Sequence, residues 1–169
     1  MRRSPIRLRS ALTAFAACAL IAATGTATAA AARSDGVKTL RFTVADVKAT
    51  VVDLGPAGKS PGDLYVYDGI LKQGSKRIGK IYGSNTSLKL EGDREIVQGQ
   101  LSFDFGGGDS ILVVGVSAYP SEGPHGFIPG ETFGRVVVGG TGIYAGARGN
   151  VATTRRPDDT YKHVVRLYR

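Results

Sequence analysis

From Val37 onward apolar and polar positions alternate, and no segment holds a convincing helical period. Leu40, Phe42 and Val44 share one face of a strand expected over Val37–Val47. Leu54–Pro61, with two prolines and two glycines, reads as a loop, and Asp63–Leu71 as the next strand. Lys76–Leu90 reads as a strand pair or one bent strand softened by Gly79 and Gly83. After a turn at Glu91–Asp93, Arg94–Phe105 alternates well, with Val97, Gly99, Leu101, Phe103 and Phe105 on one face. Gly106–Gly108 turns the chain into Ser110–Ala118. Pro120–Gly130 is a proline- and glycine-rich loop, and Thr160–Tyr168 is a final strand. About eight strands joined mostly by short turns predict an all-β barrel or sandwich. A barrel of that strand number leaves room for packed side chains or one small ligand.

The densest punctuation lies in Arg135–Gly149, where glycines 139, 140, 142, 146 and 149 follow a β-branched run, Val136–Val138. Glycine serves where the backbone needs φ > 0 or meets another chain closely. The stretch predicts a strand, a tight turn and a short second strand. Gly140-x-Gly142-x-x-Ala145 also matches a dinucleotide-binding fingerprint. That fingerprint requires a helix opening at the glycines. Here Arg148-Gly149-Asn150 and the strand-like Val151–Thr154 follow at once, so a structural turn is the better reading.

Residues 1–32 form an expected export signal, cleaved in the mature chain. Arg2, Arg3, Arg7 and Arg9 precede an apolar run, Ala11–Ala23, and small residues follow. The run is shorter than the roughly 20 residues of a membrane span. Arg2-Arg3 leaves open whether export uses the general or the twin-arginine route. Removal would take the only cysteine, Cys18, and with it any disulfide, thiolate nucleophile or thiolate metal ligand. It would also lower the formal net charge from +8 to +4, which weakens any case for nucleic acid. Residues 33–36 would be a short linker, and 37–169 one secreted domain.

The stretch VVVGGTGIYAGARG resembles the signature V-V-G-G-T-G-x-F-x-x-A-R-G of dirigent proteins and a matching segment of plant allene oxide cyclases. Gly62-Asp-Leu64, Lys76-Arg-Ile-Gly79 and Leu101-Ser-Phe-Asp-Phe-Gly106 resemble cyclase segments, and Tyr65-Val-Tyr-Asp-Gly69 a dirigent one. The resemblance runs in order across nearly the whole mature chain. It implies an eight-stranded antiparallel up-and-down β-barrel, usually a homotrimer, with an apolar lumen. It also implies steering of phenoxy-radical coupling or cyclisation of a fatty-acid epoxide, without cofactor or metal.

Asp46 falls where dirigent proteins carry an acid on the first strand, in Phe42-Thr-Val-Ala-Asp46. It also ends the apolar row Leu40, Phe42, Val44. If that face lines the lumen, desolvation would raise its pKa and suit it to proton transfer. Otherwise it is a strand-end acid meeting solvent or an arginine. Phe42 and Val44 would then contact ligand. By the same resemblance Ser117 stands where dirigent proteins have a second aspartate. Asn85 stands near their pocket tyrosine and the cyclase cysteine, and the dirigent loop arginine has no counterpart in Pro120–Gly130. Gly139, Gly140, Gly142, Arg148 and Gly149 would be structural.

Asp68 reads as a lumen acid or an ion-pair residue, and His163 as a hydrogen-bonded core residue more than a base. His125 and His163 make no zinc spacing. Tyr65, Tyr67, Tyr82, Tyr119 and Tyr144 are pocket or packing residues. Two functions stay open: a steering or cyclising protein for a small hydrophobic molecule, and a secreted carrier or scavenger without chemistry. A third, an interaction module using the barrel exterior, needs no ligand at all.

Overall fold

The computed structural model describes residues 36–123 and 125–168. The export-signal reading therefore lies outside the described residues. Eight strands form one closed antiparallel barrel: β1 (Lys38–Val52), β2 (Leu64–Gln73), β3 (Lys76–Glu91), β4 (Arg94–Gly106), β5 (Asp109–Pro120), β6 (Thr132–Thr141), β7 (Arg148–Arg155) and β8 (Tyr161–Tyr168). Each pairs with the next, and β1 closes on β8 from Lys38↔Leu167 to Val44↔Tyr161. The sole helical element among the described residues is a single 3₁₀ turn, Gly142–Tyr144. Lys76–Leu90 is one continuous strand, because Gly79 and Gly83 give way to neighbours rather than turn the chain. A Cβ at Gly79 would strike the Asp104 carbonyl, and one at Gly83 the Tyr67 ring. At the β4–β5 hairpin, Gly107 and Gly108 take φ of 64° and 88°, the mirror-image turn that matches strand twist.

β1 runs five residues past its expected end and contains a β-bulge. Ala45 pairs with Ile70 and Lys48 with Asp68, so Asp46 and Val47 together oppose Gly69. One extra residue reverses which side chains face inward. Phe42 and Val44 point in before the bulge; Val47, Ala49 and Val51 line the lumen after it.

The barrel is packed in two tiers. One half is solid, filled by Phe42, Leu71, Phe103, Ile111, Val113, Val151 and Val165 with their neighbours. Phe105 and Tyr144, with ring centres 5.2 Å apart, pack against that cluster where the 3₁₀ turn lies. The other half holds a smaller cluster, Val97, Tyr119 and Phe127, with Phe133 and Tyr161 against it. The β5–β6 connection folds Phe127 onto Tyr119 and Phe133 at 5.5 and 4.9 Å. On the opposite wall the β1–β2 loop is tied down by buried Asp63. Its carboxylate accepts from the Leu54 and Ser60 amides at 3.0 and 2.7 Å, and these bonds hold its pKa below the usual range.

Candidate functional site

Between the two tiers lies a cavity of about 110 Å³ that opens toward the loop-bearing end. Its size is of the order of the ~150 Å³ cavity that accepts a benzene ring. Val44, Ile81 and Leu101 form its apolar floor, and Tyr67, Tyr119, Phe127 and Tyr161 supply aromatic walls. Burial holds the Tyr67, Tyr119 and Tyr161 phenols above their ordinary pKa, so at neutral pH they are uncharged hydroxyls.

One wall is polar. Arg135 projects inward from β6 and is only 4% exposed. Its Nη2 donates to Ser117 Oγ at 2.8 Å and to the Tyr119 hydroxyl oxygen at 3.2 Å. Asn85 Nδ2 donates to the same Tyr119 oxygen at 3.3 Å. Space for the guanidinium comes from a cross-strand glycine pair, Gly99 on β4 opposite Gly115 on β5. A Cβ at Gly115 would lie 2.8 Å from Arg135 Cγ, and one at Gly99 would lie 2.6 Å from Asn85 Oδ1. The two glycines form a trough in the wall, and Arg135 occupies it.

His163 stands on the floor. Its Nδ1 lies 3.0 Å from Thr153 Oγ1, and Nε2 is buried without a partner. Burial first, then the Arg135 charge, lowers its pKa to about 3. It is therefore a neutral imidazole at any ordinary pH. At the mouth, fully buried Glu95 accepts from the Tyr65 hydroxyl at 3.0 Å. Lys59 Nζ and His125 Nδ1 each lie 3.6 Å from its other oxygen. Burial pushes the His125 pKa down, helped by Lys59 and opposed by Glu95. Burial and the bond to Glu95 push the Tyr65 phenol up. Among the described residues no three His, Cys, Asp or Glu side chains gather as metal ligands would.

No family model and no curated protein matches this chain. Solved structures do. A pyocyanin demethylase is 23% identical over 76% of this chain and all of its own, with a TM-score of 0.58. A pterocarpan synthase dirigent protein is 21% identical over 89% of this chain and all of its own, at 0.57. The Diels–Alderase AbmU from Streptomyces koyangensis is 15% identical over 77% of this chain and 63% of its own, at 0.58. The chain has the dirigent barrel fold.

The barrel brings together two of the residues singled out from the sequence. Asn85 and Ser117 are both buried in the polar wall and are joined through Tyr119 and Arg135. Val44 lines the cavity, and Phe42 packs beneath it with its ring 4.9 Å from Phe103. The expectation that Asp46 shares the inward face of Leu40, Phe42 and Val44 is corrected. Asp46 is the bulge residue, with φ of 55°, and its side chain is 65% exposed on the outer surface. There it pairs with Lys72 Nζ at 3.1 Å. Asp68 is exposed as well. Gly142 has φ of 57°, and Gly140 is crowded by the Ser110 and Tyr144 carbonyl oxygens. Gly149 passes against the backbone of β8, while Gly139 has open space where a Cβ would stand. Exposed Arg148 donates from Nη1 to the Val138 and Ala147 carbonyls at 2.7 and 2.8 Å, stapling β6 to the turn.

Arg135 and Glu95 escaped the sequence reading, although strand parity contained the signal. Arg135 shares parity with Phe133 and Val137, and Glu95 with Val97 and Leu101; both are ions on an inward-facing row. Phe127 had no such signal, because its loop has no period; His125 of the same loop, singled out only to set aside a zinc site, lines the cavity beside it.

Proposed function

We propose that this barrel confines one small, planar, mostly apolar molecule in its lumen and steers its ring closure or coupling. The observation that carries this reading is an aromatic-walled cavity of about 110 Å³ with a hydrogen-bonding wall built on Arg135, Ser117 and Tyr119. Such a wall fixes a ligand's orientation, and confinement turns a floppy reactant into a near-attack conformer. Tyr119 and Asn85 supply directional contacts, and neutral His163 offers an unpartnered ring nitrogen at the floor. The protein acts after export as a secreted domain in this reading, and it needs no metal or cofactor of its own.

A second reading, a carrier without chemistry, is favoured by one observation. The residues lining the cavity include no carboxylate, because the bulge carries Asp46 outside. One experiment separates the two. The purified protein is denatured, extracted and analysed by mass spectrometry, beside Val47→Trp, which narrows the mouth at a half-exposed position. Near-stoichiometric organic ligand in wild type, and little in the variant, is the expected result. A ligand recovered chemically changed, with one enantiomer dominant, marks the steering protein; a ligand recovered unchanged marks the carrier. If extracts are empty and no planar probe binds, lumen binding is refuted.

A further inference from the structure

We infer that the molecule taken into the lumen is an anion, a planar body bearing one carboxylate or phenolate oxygen that Arg135 anchors. This rests on the lumen-binding reading above and adds the charge class of the ligand. The observation behind it is an unbalanced cation. Arg135 is 4% exposed, and among the described residues no carboxylate lies within 4 Å of it. A guanidinium carries five N–H donors. Here Nη2 alone is engaged, by two neutral hydroxyls, and Nε has no partner. A buried charge left without its counterion is strongly unfavourable, so it persists where something else supplies the countercharge.

The nearest candidate within the chain is already occupied. Glu95 stands beside Tyr119 in the β4–β5 register, but its oxygens meet Tyr65, Lys59 and His125 at the mouth. The Lys59 charge matches that of Glu95, which leaves Arg135 as the lumen's net charge. The cation is also built in. The Gly99–Gly115 trough accommodates its stem, and the Phe127 ring lies 5.9 Å from its Cζ. A planar oxyanion suits the guanidinium fork, and the aromatic walls suit a flat body. A neutral ligand would leave the charge as unbalanced as it is in the free protein.

The test uses two pairs of probes with the full wild-type protein. Isothermal titration compares trans-cinnamate with its neutral near-isostere, cinnamamide. Cinnamate should bind at least about tenfold tighter, the minimum for one charge-assisted contact. Arg135→Gln should bring the two within about threefold. The second probe is 4-nitrophenol, whose ionisation is read by its visible absorbance. Bound to wild type it should ionise at lower pH than in buffer, because the cation favours the phenolate. Cinnamate preference with an unmoved nitrophenol would assign the site to carboxylates, and the converse to phenolates. Equal binding of cinnamate and cinnamamide, with nitrophenol ionising at higher pH, overturns the anion assignment and leaves lumen binding intact. Failure of every probe to bind overturns lumen binding and this inference with it. The wild-type arms decide even if Arg135→Gln does not fold.

Discussion

The glycine-rich passage from β6 to β7 makes a quantitative prediction, because its glycines are there for different reasons. At Gly139 a Cβ would meet nothing within 4 Å, and the backbone is not left-handed. Gly139→Ala should be neutral, or stabilising by a few tenths of a kcal/mol through a stiffer unfolded chain. At Gly142 φ is 57°, and the added Cβ would displace the Asp109 carboxylate that accepts from the Ile143 amide. Left-handed strain of about 1 kcal/mol plus that lost bond gives a cost of roughly 1–2 kcal/mol. At Gly140 the Cβ would lie 2.5 Å from the Ser110 carbonyl oxygen and 2.6 Å from that of Tyr144. Backbone on both sides cannot swing away, so about 2–3 kcal/mol is expected, at the upper end of overpacking costs. Gly149→Ala should be the worst, because its Cβ would enter the Arg166 carbonyl oxygen in the neighbouring ladder. About 3 kcal/mol or more follows.

Urea and thermal melts followed by far-ultraviolet circular dichroism, with tyrosine fluorescence as second probe, would measure the series. At about 4 °C per kcal/mol for a domain of this size, Gly149→Ala should melt roughly 12 °C below wild type. Gly139→Ala should melt within a degree or two of wild type. A flat series, or Gly139→Ala as costly as Gly149→Ala, would refute close backbone approach as the reason for these glycines.

Three further outcomes are expected. His163 stays neutral in the fold to about pH 3, while the unfolded chain protonates near its ordinary 6.5. Between those values the unfolded state binds the extra proton, so stability falls as pH drops, by up to about 1.4 kcal/mol per unit. His125 acts in the same direction, so the difference between wild type and His163→Gln is the readout, and parallel pH curves would count against burial as the cause. At the bulge, Asp46→Gly should match wild type in stability and ligand retention, since an exposed ion pair contributes about 0–1 kcal/mol and glycine fits φ of 55°. Loss of ligand or turnover in Asp46→Gly would show that the acid works from outside the lumen. Val116 and Val136, 57% and 54% exposed on the outer face of β5 and β6, should be covered by further copies of the chain, as a homotrimer. Light scattering of Val136→Glu should then report monomer, and a monomeric wild type at high concentration would refute the assembly.

Much of this barrel was legible because strand period and turn chemistry agree along the chain. Arg94–Phe105 alternates without a break, and Val97, Leu101 and Phe103 are indeed buried. The glycine-rich turns fall where β4 meets β5 and β6 meets β7. Alternation carries one bit per residue, and a bulge inverts that bit for everything beyond it. Counting in twos from Leu40 places Asp46 inside; one inserted residue places Val47, Ala49 and Val51 there instead. The inversion is written in β1 itself: the apolar row is even-numbered before the bulge, at Leu40, Phe42 and Val44, and odd-numbered after it, at Val47, Ala49 and Val51, with Arg41 and Thr43, then Lys48 and Thr50, on the opposite parity. Asp46 marks the point of the switch, being a residue type that tolerates the left-handed conformation a bulge requires. The opposite lapse occurred in β4 and β6, where parity was intact and Glu95 and Arg135 were nonetheless passed over. An ion within an apolar row is unfavourable when buried unless something balances it. Glu95 is balanced by Lys59 from a loop 36 residues earlier, a pairing no local pattern contains. Arg135 has no such partner among the described residues. The candidate site is thus least legible at Arg135, where the anion inferred for the lumen would supply what the chain does not.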